Sequence, residues 1–569
     1  MKKKWVLKEL NNESAHPVSP GTEQYPGLIA RLLSLRGLDT PEKIDTFLNP
    51  SYEKLHDPFL FFEMQKACKR IRKAIEEKQK IVIYADYDAD AITASSVMTL
   101  GLRKLGGIVD CYIPDRFSEG YGMNVEAVKK LKDEGAGLVI TVDCGTNSIA
   151  EAEECLKMSL DLIITDHHEI TGDLPKAFAL INPKNPEDNY PFKYLTGVGV
   201  AFKVMQALFS EQLPNDVPPG WEKWLLDLVA IGTVADLQSL ESENRIMVKY
   251  GLQVLGKSKW PGVQALMEVS KIPEGKYTTY TLGFMLAPRI NAAGRIKHAD
   301  AAYKMLVAGN IEEARVLAQD LDLLNTKRQT LTEQILSEAR EQILLLGDKK
   351  VLLAAGRDWP KGVVGLVAGK LAEEFNKPVL IMDRGEESAT GSGRSHAKFD
   401  LVKALIHAKD LLTKFGGHTQ AAGFTLPSKD VENFYAKLLE FAETLDLSDA
   451  DPVLEIDAEL SSEDINWDFY AWLEKFEPFG FGNPRPKFLG KGLEIVELRA
   501  VGGQSQHLKT RLLWNGKVIS GISFRQGFLA GKLKADQPVD VVFELEANHW
   551  QGNKNLEMKI IDIKQGENQ

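Results

Sequence analysis

A buried strand that ends in three closely spaced carboxylates constrains this chain more than any other feature. The apolar run at residues 81–84 predicts a parallel β-strand. Asp86, Asp88 and Asp90 follow it, and a helix is expected from about residue 92 to 105. Carboxylates this close raise each other's pKa unless a cation lies among them. The segment therefore predicts a cation site, with a solvated acidic turn that caps the helix as the alternative.

Three further segments place aspartate or histidine directly after apolar runs. Residues 138–142 and 162–165 predict strands, and residues 225–235 predict a strand or a buried helix. The polar residues that follow these runs are Asp143, Asp166, His167, His168 and Asp236. The carboxyl ends of parallel strands meet at one edge of a sheet, where α/β folds bind ligands. Oxygen and imidazole ligands without a thiolate suit Mn²⁺ or Mg²⁺ better than a structural Zn²⁺.

The size and composition of the chain indicate several domains of an ordinary globular protein. It has 569 residues, of which 44% are hydrophobic and 26% charged. No apolar run reaches the length of a membrane span, and the N-terminus lacks the apolar core of a signal peptide. The four cysteines have no CxxC spacing, so we expect reduced thiols and a cytoplasmic location. The net charge of −11 argues against indiscriminate coating of nucleic acid, but it allows a local basic groove.

Hydrophobic periodicity divides the chain into regions. Strands and helices alternate over residues 80–241 and again over 349–445, which is typical of βαβ sheets. Residues 310–346 predict one long helix that stops at Gly347 and acts as a spacer rather than a coiled-coil dimer. Residues 453–564 contain short β-rich segments, which by periodicity alone indicate only a small β domain.

The motifs of this chain resemble those of a known superfamily. The order DYDAD, VDCG, DHH and GTVADL is similar to that of the DHH phosphoesterases. Within that superfamily, later segments resemble the RecJ-type exonucleases specific for single-stranded DNA. These segments are PRINAAGR at 288–295, GSGRSHAKFD at 391–400, FGGHTQAAGF at 415–424 and PFGFGNPRPKF at 478–488. The resemblance extends from about residue 60 to the C-terminus.

The resemblance implies a fold and a division into domains. We expect an α/β protein whose parallel-sheet DHH catalytic domain, residues 76–305, follows a helical lead-in at residues 1–75. A connecting long helix at 306–347 would lead to an α/β DHH-associated, substrate-binding domain at 348–450. An OB-like, nucleic-acid-binding β-barrel would occupy residues 451–569.

The resemblance also implies two divalent metal ions, Mn²⁺ or Mg²⁺, that clamp a phosphodiester. The expected ligands are Asp88, Asp90, Asp143, His167 and Asp236, with Asp143 as the bridging carboxylate. Asp86, Asp166 and His168 are the catalytic candidates. Asp86 would orient other groups, Asp166 would fix the histidine tautomer or the loop, and His168 would contact the scissile phosphate or leaving oxygen. Direct contact of these three residues with a metal is an open alternative.

The substrate phosphates also need hydrogen-bond donors on the side away from the metal ions. The predicted substrate-binding residues are Arg289, Asn291, Arg295, Arg394, Ser395, His396, Gly416, Gly417 and His418. Guanidinium groups bind phosphate in a bidentate manner, and glycine lets a phosphate approach the backbone closely. The structural alternatives are a salt-bridged helix start at PRINAAGR and ordinary tight turns at the glycine motifs.

The C-terminal region predicts an electrostatic track for a single strand. Between residues 487 and 535, nine basic residues stand against two acidic ones. His507, Trp514, Phe524 and Phe528 are interspersed among them. Basic groups with aromatic platforms suit sequence-tolerant strand binding, although aromatics in a small β domain more often form its core.

The chain departs from the family pattern at three positions. Ala85 and Ala91 stand where the family usually has glycine, and a required positive φ would strain both alanines. Pro360 stands where a histidine commonly follows the tryptophan, here Trp359, so a substrate contact could be missing.

The resemblance implies a metal-dependent exonuclease that degrades single-stranded DNA from 5′ to 3′ into mononucleotides during DNA repair and recombination. A helicase and a single-strand-binding protein are the partners it suggests, and the single spacer helix favours a monomer. A small-nucleotide or oligonucleotide phosphodiesterase is one alternative, which the C-terminal region argues against. A non-catalytic single-strand-binding scaffold is the other, which the intact metal ligands argue against.

Overall fold

The structure is a computed structural model. It describes residues 3–10, 21–116, 119–120, 122–211, 213–275, 277–396, 398–445, 452–534, 537–550 and 553–565. The chain forms two units: unit 1 comprises residues 1–55, 239–249 and 451–569, and unit 2 comprises residues 56–238 and 250–450. The five-part domain division made from the sequence stays a prediction.

The strands alternate with helices in unit 2 and follow one another in the C-terminal part of unit 1. In chain order they are β1 (Lys4–Leu7), β2 (Lys80–Ala85), β3 (Ile108–Tyr112), β4 (Ala136–Val142), β5 (Asp161–Thr165), β6 (Ala179–Ile181), β7 (Leu352–Gly356), β8 (Val379–Arg384), β9 (Ser388–Arg394), β10 (Lys414–His418), β11 (Ala421–Pro427), β12 (Val453–Ile456), β13 (Ala458–Glu459), β14 (Phe488–Val501), β15 (His507–Trp514), β16 (Lys517–Ser523), β17 (Val539–Trp550) and β18 (Asn553–Gln565).

The α-helices cover both faces of the sheets and connect them. They are α1 (Gly27–Ser34), α2 (Pro41–Leu48), α3 (Met64–Glu76), α4 (Ala89–Lys104), α5 (Val125–Asp133), α6 (Ile149–Lys157), α7 (Gly197–Ser210), α8 (Leu226–Ala235), α9 (Ser242–Leu255), α10 (Pro261–Val269), α11 (Ala287–Ile296), α12 (Asp300–Leu306), α13 (Ile311–Leu345), α14 (Lys361–Phe375), α15 (Leu401–His407), α16 (Val431–Glu443) and α17 (Trp467–Lys475). A π-helix, Thr281–Leu286, leads into α11. No helix within the described ranges combines the length and apolarity that a bilayer crossing requires.

The N-terminal sheet of unit 2 confirms the predicted parallel α/β arrangement. Its strand order is β3-β2-β4-β5-β6, and every pair is parallel. The chain leaves β2 for β3 on one side and returns to β4 on the other, so the sheet has a switch point between β2 and β4. Ligands of open α/β sheets bind outside the carboxyl ends of the strands at such a point.

The apolar run before Asp236 is helix α8, not a strand. Every residue from Leu226 to Thr233 is buried, so the run carries no amphipathic period, and periodicity could not separate a strand from a helix. The predicted long helix is confirmed as α13, which extends for 35 residues, whereas its role as a spacer stays a prediction. It precedes a second sheet of order β10-β11-β9-β8-β7 in which only β7 and β8 are parallel.

The C-terminal strands close into a five-stranded barrel, which confirms the predicted OB-like domain. β14, β15, β16, β18 and β17 are paired in that order, and the β14–β17 pairing completes the closure. Helices α1 and α2 pack their apolar side chains into the same core as the barrel interior. In addition, β1 pairs in parallel with β12, so the N-terminal strand joins the segment that precedes the barrel in unit 1.

One buried arginine holds several segments of unit 1 together. Arg245 is 1% exposed, and its guanidinium donates to the carbonyl oxygens of Phe47, Lys475, Phe476, Glu477 and Pro478. Most of these carbonyls lie at the end of α17 and just after it, where a helix leaves acceptors unsatisfied. The Arg245 guanidinium thus satisfies carbonyl acceptors from segments that are far apart in the sequence.

Candidate metal centre and phosphate-binding site

The carboxyl ends of β2, β4 and β5 bring the sequence-predicted aspartates to one edge of the sheet. Asp86 follows β2, Asp143 follows β4, and Asp166 follows β5, and all three are buried. These strands are neighbours, so the three carboxylates meet at the switch point. This is the clustering that the sequence predicted.

Asp143 has a constrained backbone at the centre of this edge. Its φ is 59°, in the left-handed region that few residues other than glycine, asparagine and aspartate adopt. Its amide donates to the carbonyl of Thr165 on the adjacent strand at 3.0 Å, which ties the turn to β5. Gly197, the first residue of α7, lies so close that a Cβ there would come within 2.5 Å of the Asp143 Cβ.

Asp90 is held by the start of helix α7. Its carboxylate accepts hydrogen bonds from the backbone amides of Gly197 at 2.7 Å and Val198 at 2.9 Å. Amides at a helix N-terminus stabilise negative charge. Asp88 is the N-cap of α4 and accepts from the amide of Ala91 at 3.0 Å. The DYDAD segment thus serves both as a helix start and as a source of carboxylates.

His167 is the point on which the buried carboxylates converge. Its Nε2 lies 3.0 Å from Oδ1 of Asp143 and 3.9 Å from oxygens of both Asp90 and Asp236. Two overlapping groups of potential ligand atoms result, each with all atoms within 4.8 Å of one another. One group is Asp143, His167 and His168, and the other is Asp90, His167 and Asp236. Asp236 reaches this site from the C-terminal end of α8.

The electrostatics of the group favour a cation. Burial, reinforced by the neighbouring carboxylates, raises the pKa of Asp90 and Asp143 well above the usual aspartate value. Burial also raises the pKa of Asp86 to about 8 and that of Asp236 to about 6. Burial and the charge of His168 lower the pKa of His167 to about 3, so its imidazole stays neutral and keeps a lone pair for a metal. A bound cation would reverse the shifts of the carboxylates.

Unpaired buried atoms provide an independent test of whether a metal fits. Asp86 Oδ1, Asp143 Oδ1 and Asp236 Oδ2 are buried without a hydrogen-bond partner within the described part of the chain. Buried polar atoms without partners are rare and costly. Carboxylate oxygens and imidazole form the ligand set of Mn²⁺ and Mg²⁺ sites. The residues present therefore fit a divalent metal.

Asp166 and His168 form a hydrogen-bonded pair beside this group. Asp166 Oδ1 lies 2.7 Å from His168 Nδ1 and also accepts from the amide of His167. Burial opposes the charged forms of both residues, but their mutual attraction outweighs it. The attraction between the two side chains lowers the pKa of Asp166 and raises the pKa of His168. Thr146 supports the pair, because its amide donates to Asp166 Oδ2 at 2.9 Å.

Arg295 lies close enough to Arg116, Arg328, Arg394 and Asp88 for their charges to affect it. We call the four arginines the arginine group. Burial and the charges of Arg116, Arg328 and Arg394 lower the pKa of Arg295 to about 10, while the charge of Asp88 opposes this shift. The sequence predicted Arg295 and Arg394 but not the other two. Arg116 lies beyond the end of β3 and places its guanidinium 4.7 Å from the centre of the Tyr87 ring. Its position after a strand was the signal that could have revealed it.

Arg328 joins the arginine group from the middle of α13. Its position within a long helix gave no indication of this in the sequence. Its Nε is buried without a hydrogen-bond partner among the described residues, and burial lowers its pKa. Arg394 ends β9 and donates to Oγ of Ser392 at 2.9 Å. Clustered guanidinium groups with few carboxylates suit a phosphate ligand.

The two other predicted residues of PRINAAGR have internal partners. Arg289 bonds Asp322 of α13 at 2.8 Å and the carbonyl of Met285 at 2.6 Å. Asn291 accepts from the amide of Ala89 at 2.9 Å through Oδ1, so it fixes the start of α4. The structure does not place Arg289 in the arginine group, and Asn291 acts on the DYDAD segment.

The predicted residues of the second sheet lie in two segments, the end of β9 and strand β10, which are separated in the sheet by β11. Ser395 and His396 follow β9, with the Ser395 hydroxyl donating to the Phe399 carbonyl. Gly416, Gly417 and His418 belong to the exposed edge strand β10. Gly417 has a φ of 143°, and a Cβ there would lie 2.4 Å from the carbonyl oxygen of Ala421, so the position requires glycine.

The three departures from the family pattern cause no local strain. Ala85 ends β2 and Ala91 lies in the first turn of α4, and neither has a positive φ. The concern that alanine would be forced into the left-handed region is therefore wrong. Pro360 is the N-cap residue of α14, directly before the helix.

The barrel exposes some of its aromatic side chains and buries others. Trp514 is 4% exposed and belongs to the core, whereas Phe524 and Phe528 are 52% and 60% exposed. His507 lies 5.2 Å from the Phe524 ring, and the Lys532 ammonium lies 5.0 Å from the Phe528 ring. Exposed rings beside cations are a surface on which bases can stack.

Comparison with known protein families assigns the two sheets and the barrel to known domain types. Residues 80–233 match the DHH family, N-terminal domain, residues 348–444 match the DHHA1 domain, and residues 456–562 match the RecJ OB domain. A parallel sheet with aspartates and a DHH histidine pair at its carboxyl edge, followed by a DHHA1 domain, defines a DHH phosphoesterase.

Relatives that match almost the whole chain identify the family within this class. The single-stranded-DNA-specific exonuclease RecJ of Bacillus subtilis is 38% identical to this chain. The aligned region covers 99% of this chain and 71% of the Bacillus subtilis protein. The Escherichia coli RecJ is 33% identical, with 95% of this chain and 96% of the relative covered. This chain belongs to the RecJ family of single-stranded-DNA-specific exonucleases.

Solved structures agree with that assignment. The crystal structure of RecJ in complex with Mn²⁺ from Thermus thermophilus has a TM-score of 0.82 at 29% identity, covering 99% of this chain and 80% of that one. The Mg²⁺ complex of the same protein has a TM-score of 0.77 at 28% identity, covering 99% and 79%.

Proposed function

We infer that this protein is a metal-dependent exonuclease that hydrolyses phosphodiester bonds of single-stranded DNA. The observation that carries this inference is the buried convergence of Asp90, Asp143, His167 and Asp236, with unpaired atoms that a divalent cation would satisfy. Relatives that match almost the whole chain are named single-stranded-DNA-specific exonucleases.

We assign the metal-holding role to Asp88, Asp90, Asp143, His167 and Asp236. Two ions, Mn²⁺ or Mg²⁺, bound here would lower the pKa of an attacking water and stabilise charge on the leaving oxygen. Asp143 contributes to the shared centre because its Oδ1 faces His167, and its turn is fixed to β5. The amides of α7 hold the Asp90 carboxylate in one orientation.

Three residues act around that centre without being assigned as its ligands. Asp166 holds the Nδ1 side of His168 and favours its protonated form. A protonated His168 can donate a hydrogen bond to a phosphate oxygen or leaving oxygen. Asp86, buried beside Asp88, orients the loop and shapes the local charge.

The arginine group is proposed to hold the phosphates of the strand. Arg295 and Arg394, joined by Arg116 and Arg328, offer guanidinium donors next to Asp88. Ser395, His396 and the β10 strand with Gly416, Gly417 and His418 extend this surface. Arg289 and Asn291 stay proposed substrate-binding residues, and their hydrogen bonds to Asp322 and to the amide of Ala89 hold α11 against α13 and α4.

We further propose 5′→3′ polarity and mononucleotide products, with the barrel guiding the strand through exposed Phe524 and Phe528. A monomer in the cytoplasm, working beside a helicase and a single-strand-binding protein, fits a substrate that must first be made single-stranded. The barrel is an element that a small-molecule phosphodiesterase does not need. The complete set of metal-binding side chains argues against a non-catalytic scaffold.

End-labelled strands test both the chemistry and the polarity. A 5′-labelled and a 3′-labelled single strand are incubated with Mn²⁺ and wild-type protein or Asp143→Ala. Early release of the 5′ label as a mononucleotide, lost in the variant while strand binding persists, is the expected result. Release of the 3′ label first would reverse the polarity, and cleavage by the variant would remove Asp143 from the centre.

A further inference from the structure

A second group of basic side chains lines a cleft of unit 2 that the exonuclease chemistry does not use. The cleft has a volume of about 580 Å³. Helix α3 contributes Lys66, Lys69, Arg70 and Lys73 to its wall, and α5 contributes Lys132. The α3 residues recur at steps of three and four, so they share one face of the helix.

This basic cleft lies at the edge of the sheet opposite the metal centre. Gly137 and Asp161, which also line it, stand at the beginnings of β4 and β5. The metal-binding residues follow the ends of the same strands. β4 has seven residues, which at the rise of an extended strand separate the two sites by roughly 20 Å.

Arg70 is fixed in the floor of the cleft. Its side chain is 7% exposed, and its Nε bonds Asp161 at 2.5 Å. Its Nη2 donates to Oε1 of Gln79 at 2.8 Å and to the carbonyl of Gly137 at 2.9 Å. Its Nη1 has no hydrogen-bond partner among the described residues. A buried guanidinium with an unused donor is costly unless a further acceptor is available to it.

The charge of the cleft is strongly unbalanced. Five basic residues line it against one acidic residue, Asp161, in a chain whose net charge is −11. The Nζ of Lys132 donates to a carbonyl oxygen, that of Ser159, at 3.2 Å. Lys66 bonds Glu63 at 2.8 Å and also places its ammonium 5.1 Å from the centre of the Phe178 ring. A cleft lined by charges of one sign focuses their field and raises the local concentration of the opposite ion, here an anion.

We propose that this cleft binds a small phosphorylated anion of about the size of a nucleotide. Its volume lies within the range of small-molecule sites. The lysine ammonium groups act as point charges for phosphate oxygens, and the Arg70 guanidinium adds a fixed donor group. The Phe178 ring, which also lines the cleft, supplies an apolar face for a base. This site is separate from the metal centre and does not depend on the proposed nuclease activity.

The test is binding of defined phosphates to the full-length protein without divalent metal. Isothermal titration calorimetry is run with AMP, pyrophosphate and adenosine, and sulfate at equal ionic strength serves as the salt control. Acetylation of lysines, followed by mass spectrometry, locates the bound anion. We expect AMP to bind saturably and to protect Lys69 and Lys132, while adenosine does neither. Pyrophosphate binding as tight as that of AMP would identify the phosphate group alone as the ligand, whereas tighter AMP binding would identify a nucleotide.

Charge reversal assigns the binding to the cleft. The double variant Lys69→Glu/Lys132→Glu should weaken AMP binding by at least about tenfold, because each lost charged hydrogen bond has a cost of that order. Lys129→Glu is the matched control: it lies on the same helix α5, is 45% exposed and is paired with Glu126 and Glu154 instead of lining the cleft. Both variants should keep the wild-type melting temperature and strand cleavage.

Three results would overturn the proposal. One is absence of saturable AMP and pyrophosphate binding, and another is equal protection of the lysines by sulfate, which indicates charge screening only. The third is unchanged affinity in the double variant, which would assign the phosphate to the arginine group. If the double variant melts early, the single variants Lys69→Gln and Lys132→Gln replace it and must show the same loss of affinity.

Discussion

Replacing Gly197 by alanine tests how tightly the metal centre is packed. The new Cβ would lie 2.5 Å from Cβ, 2.7 Å from Oδ1 and 2.8 Å from Cγ of Asp143. An ordinary contact needs at least 3.4 Å, so the carboxylate has to move by about 1 Å. A displacement of that size in a catalytic group lowers the rate by about 100-fold. The φ of Gly197 is not positive and the residue lies in the first turn of α7, so alanine itself is well tolerated by the backbone.

The assay measures cleavage of a single strand as a function of Mn²⁺ concentration, together with the melting temperature. We expect Gly197→Ala to need more Mn²⁺ and to turn over about 100-fold more slowly. It should also melt earlier than the wild type, because overpacking a buried site costs about 1–3 kcal/mol. Gly199→Ala is the control two residues further along α7, where the nearest atom to a new Cβ is Thr196 Oγ1 at 3.2 Å. Wild-type turnover and Mn²⁺ dependence in Gly197→Ala would refute the packing described here. An equal loss in both variants would show that the helix, not Asp143, is affected.

Three further variants test other parts of the molecule. Burial raises the pKa of Asp227 to about 7, so the unfolded state ionises first, and stability should fall as pH rises from about 4 to 7 by up to roughly 4 kcal/mol. Urea unfolding of Asp227→Asn should lose that slope, and an unchanged slope would contradict the assignment. Arg245→Ala leaves five carbonyl acceptors without their donor and should destabilise unit 1 by about 3 kcal/mol or more, which calorimetry would detect as an earlier transition. Arg328→Ala should raise the KM for single-stranded DNA about tenfold at an unchanged melting temperature, and an unchanged KM would exclude Arg328 from the strand-binding surface.

The sequence alone predicted which polar side chains lie together where they directly follow the ends of strands. Asp86, Asp143 and Asp166 each follow a short apolar run, and parallel pairing alone brings such positions together. The DYDAD segment showed both the end of β2 and the start of α4. Residue type, spacing and sheet geometry therefore predicted the cluster of carboxylates at this edge with little help from tertiary detail.

Contacts between distant segments were beyond the reach of local patterns. Arg328 is one arginine in a long polar helix face, and only packing shows that it joins Arg295. Arg289 matches a phosphate-binding motif as well as Arg295 does, yet it bonds Asp322. Helix α8 is buried on all sides from Leu226 to Thr233, and only Asp227 and Thr233 among these residues are polar. This pattern removes the periodicity that separates a helix from a strand.

The pairing of β1 with β12 has a consequence for synthesis on the ribosome. Lys4 is in register with Val453, so about 450 residues must be translated before the first strand meets its partner. At ordinary elongation rates this takes roughly 20 to 90 seconds. During that time α1 keeps Ile29, Leu32 and Leu33 without the barrel core in which they are finally buried. These α1 side chains are therefore synthesised well before the barrel residues against which they pack.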